Sequence, residues 1–540
     1  MPDEPDLPAD AREQRELLAR LRDVIAAKDV ENTMLRAELA AVLERYRRLE
    51  LRVAELERRL GQDSTDSGTP SSKESIGAKE KRRARRRERQ QSERERSKDR
   101  KRGGQPGHPG KGLARDPDPD ETREAEPPAQ CRRCGAGLDG AAAAEPRWAQ
   151  VIDVEVIRKV TEYLLPGLEC PCCAAVTFSG PPAGAHPGAV SYGAVLNAAA
   201  VVLTGYGNVP PERAAQVIAM LLGIQVSPGW AGKASARLAA QLEKAGFDAA
   251  MLAALAAGKA LAADETPVNV LDKSAPQPAA REEGEEQDGA QDPEEKQKPA
   301  AGAPHVLIVR TPDGLLTWLT ALASRRKGDV AAGIPAAFTG LLMTDGYTGY
   351  QHLLSRLAGI QQCCQHIIRR CRAVIKPGPG SLQSRAGDVI TVLREAHQAV
   401  QDARARGSTG LDADLPGNLH ERYDQAAAFG ITHNRHRDWH EGNHPGYALG
   451  RWLQQHNDQV LLFTRDLAVD WTTNVAERGA KAAKRHQAVS GYWHSLATLT
   501  RWCRITSYLD PAAAHGITAL DAIRAAIEGR PWLPPLPAVS

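Results

Sequence analysis

The stretch "LAADETPVNV", Leu261 to Val270, decides how the middle of this chain is read. A short apolar run ends in two adjacent carboxylates, Asp264 and Glu265, and then a proline. A strand end is a rigid place to hold a charge, so the segment raises the question of which cation or substrate the charge serves. A second run of the same form follows 81 residues later. In "GLLMTDGYTGY" the apolar residues Leu341–Thr344 end in Asp345, followed by a glycine.

Between and beyond these two runs the pattern is one of alternating strands and helices. "HVLIVR" and "LLTWLTAL" flank Pro312-Asp313-Gly314, a hairpin signal. A helical patch over Asp329–Phe338 precedes the second run; "YQHLLSRLAG" then reads as a helix, "IQQCC" as a strand and "QHIIRRCRAV" as another helix. This order predicts an α/β mixed sheet of the ribonuclease-H-like kind, with the two acid-tipped strands side by side. Neighbouring strands lie about 4.8 Å apart, so Asp264 and Asp345 are expected to share a metal.

Two carboxylates held together repel unless a cation sits between them, and oxygen ligands with open positions select a hard ion such as Mg²⁺ or Mn²⁺. A third acid is sought in "RDLAVDWTTNVAERGAKAAKRH", where Asp466, Asp470 and Glu477 all qualify by residue type. From Asn474 onward the segment reads as a helix, with Glu477, Lys481 and Lys484 on one face and Arg485 beside them. Such a helix offers one acid to a metal and several cations to DNA phosphates. A surface salt-bridge ladder would look the same.

The N-terminal third has a different character. Leu35, Leu39, Val42, Tyr46, Leu49, Val53, Leu56 and Leu60 alternate spacings of four and three, a heptad seam that extends back through Asn32, Ile25 and Leu21. It predicts a coiled coil that pairs two or more copies of the chain, against the plainer reading of a helix folded onto its own domain. Lys79–Arg102 then carries fourteen Lys/Arg against five acids, including Lys81, Arg82, Arg83, Arg85, Arg86 and Arg87. A block this charged binds a polyanion by counterion release. Cys131-x-x-Cys134 and Cys170-x-x-Cys173 form two knuckles 35 residues apart, suited to a tetrahedral Zn²⁺ site. Close pairing among the nine cysteines favours metal or core roles over disulfides. Residues 190–246 read as helices, with Gly223 closing one, and Ser227 capping the next ahead of Pro228; this is a helix-turn-helix-like arrangement that many helical hairpins share. "GITHNRHRDWHEGNHPGYALG" carries four histidines, of which His436 and His440 invite a metal, yet Gly430, Gly442 and Pro445 read as loop and the arginines point to DNA or solvent.

The net charge of +3 averages segments of opposite sign and excludes little; no stretch approaches the roughly 18 apolar residues of a membrane span. Composition divides the chain into a coiled coil (1–62), a basic linker (63–115), a zinc-binding module (116–182) and a helical region (183–250). A ribonuclease-H-like core, the candidate catalytic part, is expected in two pieces (251–376 and 461–510), split by a helical insertion (377–460) and followed by a tail (511–540). The acidic stretch 281–296 reads as a disordered loop open to regulation or a partner.

Along nearly its whole length the chain resembles the transposases of insertion-sequence family 66. The motifs that carry this are "DETPV", "DGYTGY" and "NVAER", with the basic "GGQPGHPGK" segment and the double CxxC as further likeness. The resemblance implies a DDE triad of Asp264, Asp345 and Glu477, and so prefers Glu477 to Asp470. It implies Mg²⁺- or Mn²⁺-dependent cleavage and joining of element-end and target DNA in the bacterial cytoplasm at the nucleoid, and leaves open whether accessory proteins of the element take part. It would also place His366 near the site, the alternative being a structural histidine behind the last strand. The usual pair of asparagines before Ala-Glu-Arg is here Thr473 and Asn474, and the family's "CWAHxRR" is "CCQHIIRR". Two rival readings remain: a non-catalytic zinc-containing DNA-binding protein, and a metal-dependent nuclease that cuts without joining.

Overall fold

The computed structural model describes residues 11–61, 114–182, 185–271, 303–375, 380–440 and 442–535. The basic block with Lys81 to Arg87 and the acidic stretch 281–296 lie outside the described residues. Chain contacts define two compact units, Arg83–Leu164 on one hand and Met1–Arg82 with Leu165–Ser540 on the other.

In the larger unit, β1 (Gly167–Glu169) and β2 (Val176–Phe178) form a small hairpin of their own. The unit is built on a separate five-stranded mixed sheet. Its strands are β3 (Ala260–Pro267), β4 (His305–Arg310), β5 (Thr317–Leu322), β6 (Leu341–Thr344) and β7 (Gly359–Gln362), in the spatial order β5-β4-β3-β6-β7. β3, β4 and β5 are antiparallel neighbours, and β3, β6 and β7 run parallel. The β4–β5 hairpin turns at Gly314, whose φ of +76° an L-side chain rarely adopts, and Asp313 Oδ1 accepts from Leu315 N–H at 2.9 Å.

Both faces of the sheet are covered, which is what near-continuous apolar strands demand. Leu261 and Ala263 pack with Leu307, Val309 and Leu342 beneath helices of the 194–256 region and the helices Leu496–Ala514 and Ala519–Ile527. Ala260, Ala262, Leu341 and Met343 face the other way, into a core shared with the helices Cys364–Ile375, Gly380–Ala405, Leu415–Asn434 and Pro445–Gln455. The helical insertion thus shares its core with the sheet. Its helices Leu415–Asn434 and Pro445–Gln455 cross closely at Gly450, where a Cβ would lie 3.0 Å from Ile431 N and 3.1 Å from Ala427 O. Gly430 is itself helical, where its residue type suggested loop.

Local signals read earlier recur in the structure. Pro211–Leu222 ends at Gly223 with φ +66°, and Ser227 Oγ accepts from Trp230 N–H ahead of Pro228. Other expectations need correction. "YQHLLSRLAG" lies on a 3-10 turn, Thr348–Ser355, and "IQQCC" gives up its cysteines, Cys363 lying past the end of β7 and Cys364 opening a helix. His436 and His440 fall in the turn and bend after Asn434, in keeping with the loop reading of that stretch, and share no helical face. The N-terminal helix runs unbroken for 51 residues, Ala11–Gly61, and Leu21, Ile25, Leu35, Leu39, Val42, Tyr46, Leu49, Val53 and Leu56 all lie exposed along it.

Candidate active site

Strand alternation explains the adjacent carboxylates. Successive side chains point to opposite faces, so Asp264 follows Ala260 and Ala262 while Glu265 follows Leu261 and Ala263. In the parallel pair, Ala260 lies opposite Leu341 and Ala262 opposite Met343. The same register, carried two residues further, sets Asp264, in the second half of β3, opposite Asp345, the residue that follows β6. On the antiparallel side Asp264 pairs with Ile308 of β4.

The third acid arrives on the helix Asn474–Ser490, which begins one residue after the buried Thr473; Glu477 N–H donates to Thr473 O at 3.0 Å in the first turn. Ala480 and Ala483 of this helix join Val306 and Ile308 in one core cluster. Gly479 permits the approach, since a Cβ there would lie 2.7 Å from Ile308 Cγ2. Burial first, then the charges of Asp345, Glu265 and Glu477, hold the Asp264 carboxyl well above the ordinary carboxylate range, against the opposing pull of His366. The three acids thus share one electrostatic neighbourhood. Glu477 Oε1 is buried with no hydrogen-bond partner.

Glu265 has a different task. Its side chain is 1% exposed, forms an ion pair with Arg325, and accepts from Tyr350 Oη at 2.6 Å. Arg325 also lies 3.6 Å from Asp345 Oδ2 and stacks over the Tyr347 ring at 3.8 Å, while Tyr347 N–H donates to Asp345 Oδ1 at 2.9 Å. Burial opposes the charge on Arg325, but Glu265 and Asp345 outweigh it and raise its pKa. One arginine, itself fixed by Glu265, therefore sets the orientation of the second acid. Residue types alone did not single out Arg325, Tyr350 or this role of Glu265. The available signal was the pair of tyrosines in "DGYTGY", whose hydroxyls need a hydrogen-bond partner when buried.

Asp470, the rival third acid, is engaged elsewhere: Arg404 Nη1 donates to its Oδ1 at 2.6 Å, and Arg404 Nη2 donates to Leu467 O and Val469 O at 2.8 Å. That clamp ties the segment before Thr473 to the helix Gly380–Ala405. Asn474 is exposed at the helix start, as are Lys481, Lys484 and Arg485 further along.

His366 lies beside the acids. Its imidazole, Cys363 Sγ and a Glu477 carboxylate oxygen come within 4.8 Å of one another, the one such trio of His, Cys or acidic ligands among the described residues. Burial opposes charge on the imidazole, but the Cys363 thiolate and Asp345 raise its pKa to about 9. Burial likewise disfavours the Cys363 thiolate, yet His366 and the Thr473 N–H, which donates to Sγ at 3.4 Å, lower the thiol to about 7. Cys363 was missed as a neighbour of the acids, although its spacing of three from His366 was in view.

The knuckles are built alike. Cys131 N–H donates to Ala136 O and accepts at its own carbonyl from Gly135 N–H; Cys170 makes the matching bonds with Ala175 and Ala174. Gly135 and Ala174 adopt φ of +75° and +58°, and backbone amides of Arg133 and Cys134 lower the Cys131 thiol as those of Cys172 and Cys173 lower Cys170. Cys131 and Cys134 belong to the smaller unit, Cys170 and Cys173 to the larger. Of the clustered histidines, His444 Nδ1 caps the helix Pro445–Gln455 by accepting from Gly446 N–H at 3.1 Å, and His440 packs edge-on to Trp439.

Asp264, Asp345 and Glu477 supply the oxygen ligands that a hard divalent ion takes, and Glu477 Oε1 is buried without a hydrogen-bond partner, but oxygens of all three acids do not come within 4.8 Å of one another, so side chains must turn to bring them onto one ion. In comparison with known families, residues 189–283 and 295–500 match the family model described as Transposase IS66 family. The gap between the matched segments, residues 284–294, falls inside the acidic stretch, and the coil, basic block and CxxC motifs precede the match. No curated protein matches the chain.

Proposed function

The chain belongs to the IS66 family of transposases, and from that premise we propose that it cleaves and joins DNA at element ends through Asp264, Asp345 and Glu477 on a ribonuclease-H-like core. The observation that carries this reading is the parallel register of β3 and β6, which carried two residues further sets Asp264 opposite Asp345, with the Glu477 helix packed across β3 and β4. The three carboxylates would hold Mg²⁺ or Mn²⁺. When bound, such ions would polarise the scissile phosphodiester and favour deprotonation of the attacking water or 3′-hydroxyl.

The remaining steps fall to side chains. Arg325 and the Tyr347 amide fix both oxygens of Asp345, so its position is set before DNA arrives. Lys481, Lys484 and Arg485, exposed on the helix that carries Glu477, would grip phosphates flanking the cut. The Arg404–Asp470 clamp would set where that helix starts. No side-chain nucleophile is required.

The other parts fit a protein that handles two DNA ends together. The exposed apolar seam of Ala11–Gly61 would pair with a second copy, the basic block would add salt-sensitive affinity for DNA, and the CxxC knuckles would bind Zn²⁺. The test is Mg²⁺- or Mn²⁺-dependent cleavage of element-end DNA by the intact protein and by Asp264→Asn. Cleavage unchanged by that substitution would refute the role of Asp264, and DNA binding without cleavage by either protein would leave only a DNA-binding role. Pre-cut ends that are never joined to target DNA would reduce the protein to a nuclease.

A further inference from the structure

Glu477 belongs to two clusters at once, the acids just described and a group with softer ligands. Cys363 stands between the end of β7 and the helix Cys364–Ile375, and its N–H donates to Thr344 O at 2.8 Å, tying it to the end of β6 beside Asp345. His366 lies on the first turn of that helix, and Glu477 on the first turn of Asn474–Ser490. All three positions are therefore set by strand ends and helix starts, which are rigid places.

The ligand atoms lie within 4.8 Å of one another. Tetrahedral Zn²⁺ with bonds of about 2.0–2.3 Å holds its ligands about 3.4–3.7 Å apart, a contraction that rotation of the Glu477 carboxylate and the imidazole can supply. Glu477 Oε1 and His366 Nδ1 are both buried without a hydrogen-bond partner, while Arg369 Nη1 lies 3.4 Å from His366 Nε2, which leaves Nδ1 as the ring nitrogen to take a metal in place of its proton. A thiolate and a carboxylate together balance a divalent charge. Sulfur and imidazole nitrogen select zinc-like ions over Mg²⁺, which demands oxygen ligands.

We propose that Cys363, His366 and Glu477 form a binding site for Zn²⁺ or a similarly soft divalent ion, and that its occupation withdraws Glu477 from Asp264 and Asp345. The site is an off-switch: zinc bound there competes with the use of Glu477 in Mg²⁺-dependent cleavage. The binding half stands on geometry alone, and the competition half rests on the reading of Glu477 as the third catalytic acid.

The experiment uses the full-length protein, loaded with Zn²⁺ and dialysed, with bound zinc counted by mass spectrometry for wild type, Cys363→Ser, His366→Gln and Glu477→Gln. Circular dichroism confirms that each variant is folded. Each substitution is expected to lose one zinc per chain relative to wild type. Co²⁺ loading should likewise show a weaker sulfur-to-cobalt charge-transfer band in Cys363→Ser. Equal zinc content and equal cobalt bands in folded variants would overturn the site. For the competition, Zn²⁺ is titrated into Mg²⁺-driven cleavage and each protein is compared with its own zinc-free rate. Half-inhibition of Cys363→Ser should need at least tenfold more zinc than wild type, and identical titrations would overturn the switch. A wild type that counts the extra zinc but never cleaves with Mg²⁺ refutes the transposase chemistry and, with it, the switch, while the zinc site stands.

Discussion

Gly479→Ala sets two effects of known size against each other. Alanine in a helix interior is favoured over glycine by about 1 kcal/mol, so at an open position the change should stabilise. Here the new Cβ would sit 2.7 Å from Ile308 Cγ2, a fully buried β-branched side chain held in mid-strand. Ordinary carbon contacts are about 3.5–4.0 Å, so the helix or the strand must yield by about 1 Å. Overpacking of this kind costs about 1–3 kcal/mol, which leaves a net loss of about 0–2 kcal/mol and a melting temperature lower by a few degrees. The functional effect should be larger. Glu477 lies two residues away on the same helix and Ile308 is the strand partner of Asp264, so the displacement opens the acids directly. A misplacement of about 1 Å can cost about a hundredfold in rate. The assay pairs thermal melts with Mg²⁺-dependent cleavage of element-end DNA, in wild type, Gly479→Ala, Ile308→Ala and the double variant. Removing Cγ2 should make alanine at 479 harmless, with a coupling of about 1–3 kcal/mol between the two changes. A Gly479→Ala protein that melts higher than wild type and cleaves at the same rate would refute this seating of the helix on β4.

Three further outcomes follow from named contacts. Arg325→Leu should destabilise by about 3–5 kcal/mol, because Glu265 would stay buried without its cation, and Arg325→Lys should recover part of that loss in thermal melts. Glu477→Gln should abolish Mg²⁺-dependent cleavage, whereas Asp470→Asn should lower stability by about 1–2 kcal/mol through the Arg404 clamp yet retain cleavage; the reverse ranking would reassign the third acid. His444 is held near a pKa of about 4 by burial, with Arg437 and His433 adding repulsion, so below its unfolded value of 6.5 the unfolded chain takes up the proton first. Stability contributed by neutral His444 is full above pH 6.5 and lost as pH falls towards 4, and His444→Asn, which keeps a capping side chain, should recover up to about 2 kcal/mol at pH 4.5 relative to pH 7.

Signals within a few residues of one another were legible in the sequence, and meetings across the chain were not. Ser227 with Pro228, Gly223, the Pro-Asp-Gly hairpin and the helix start at Asn474 each depend on one turn of backbone, and residue type suffices for that. Placement of the two acid-tipped strands side by side came from element order, and the sheet has that order. By contrast, the seat of Arg325 on Glu265 and Asp345 spans 60 residues on one side, and the Arg404–Asp470 clamp spans 66. No periodicity encodes either. "YQHLLSRLAG" misled because its apolar spacing suits an α-helix, while Tyr347 and Tyr350, drawn to Arg325 and Glu265, hold the segment in a tighter turn.

The two adjacent carboxylates of "ADETPV" meet opposite demands through a single backbone property. A metal-binding acid is most useful when its charge is uncompensated, and Asp264 is kept so, in a neighbourhood of other acids. Such an acid repels its surroundings and needs a rigid anchor. Glu265, turned to the other face by the strand pleat, supplies that anchor by pairing with Arg325, which reaches on to Asp345. Exchanging the two residue types would test whether the order matters. Glu265→Asp would leave the anchoring carboxylate one methylene short of Tyr350 and Arg325, and Asp264→Glu would push the neighbouring carboxylate into Asp345. The paired substitution should therefore lose cleavage although composition and charge are unchanged, and full activity in that variant would show that the anchor does not depend on side-chain length.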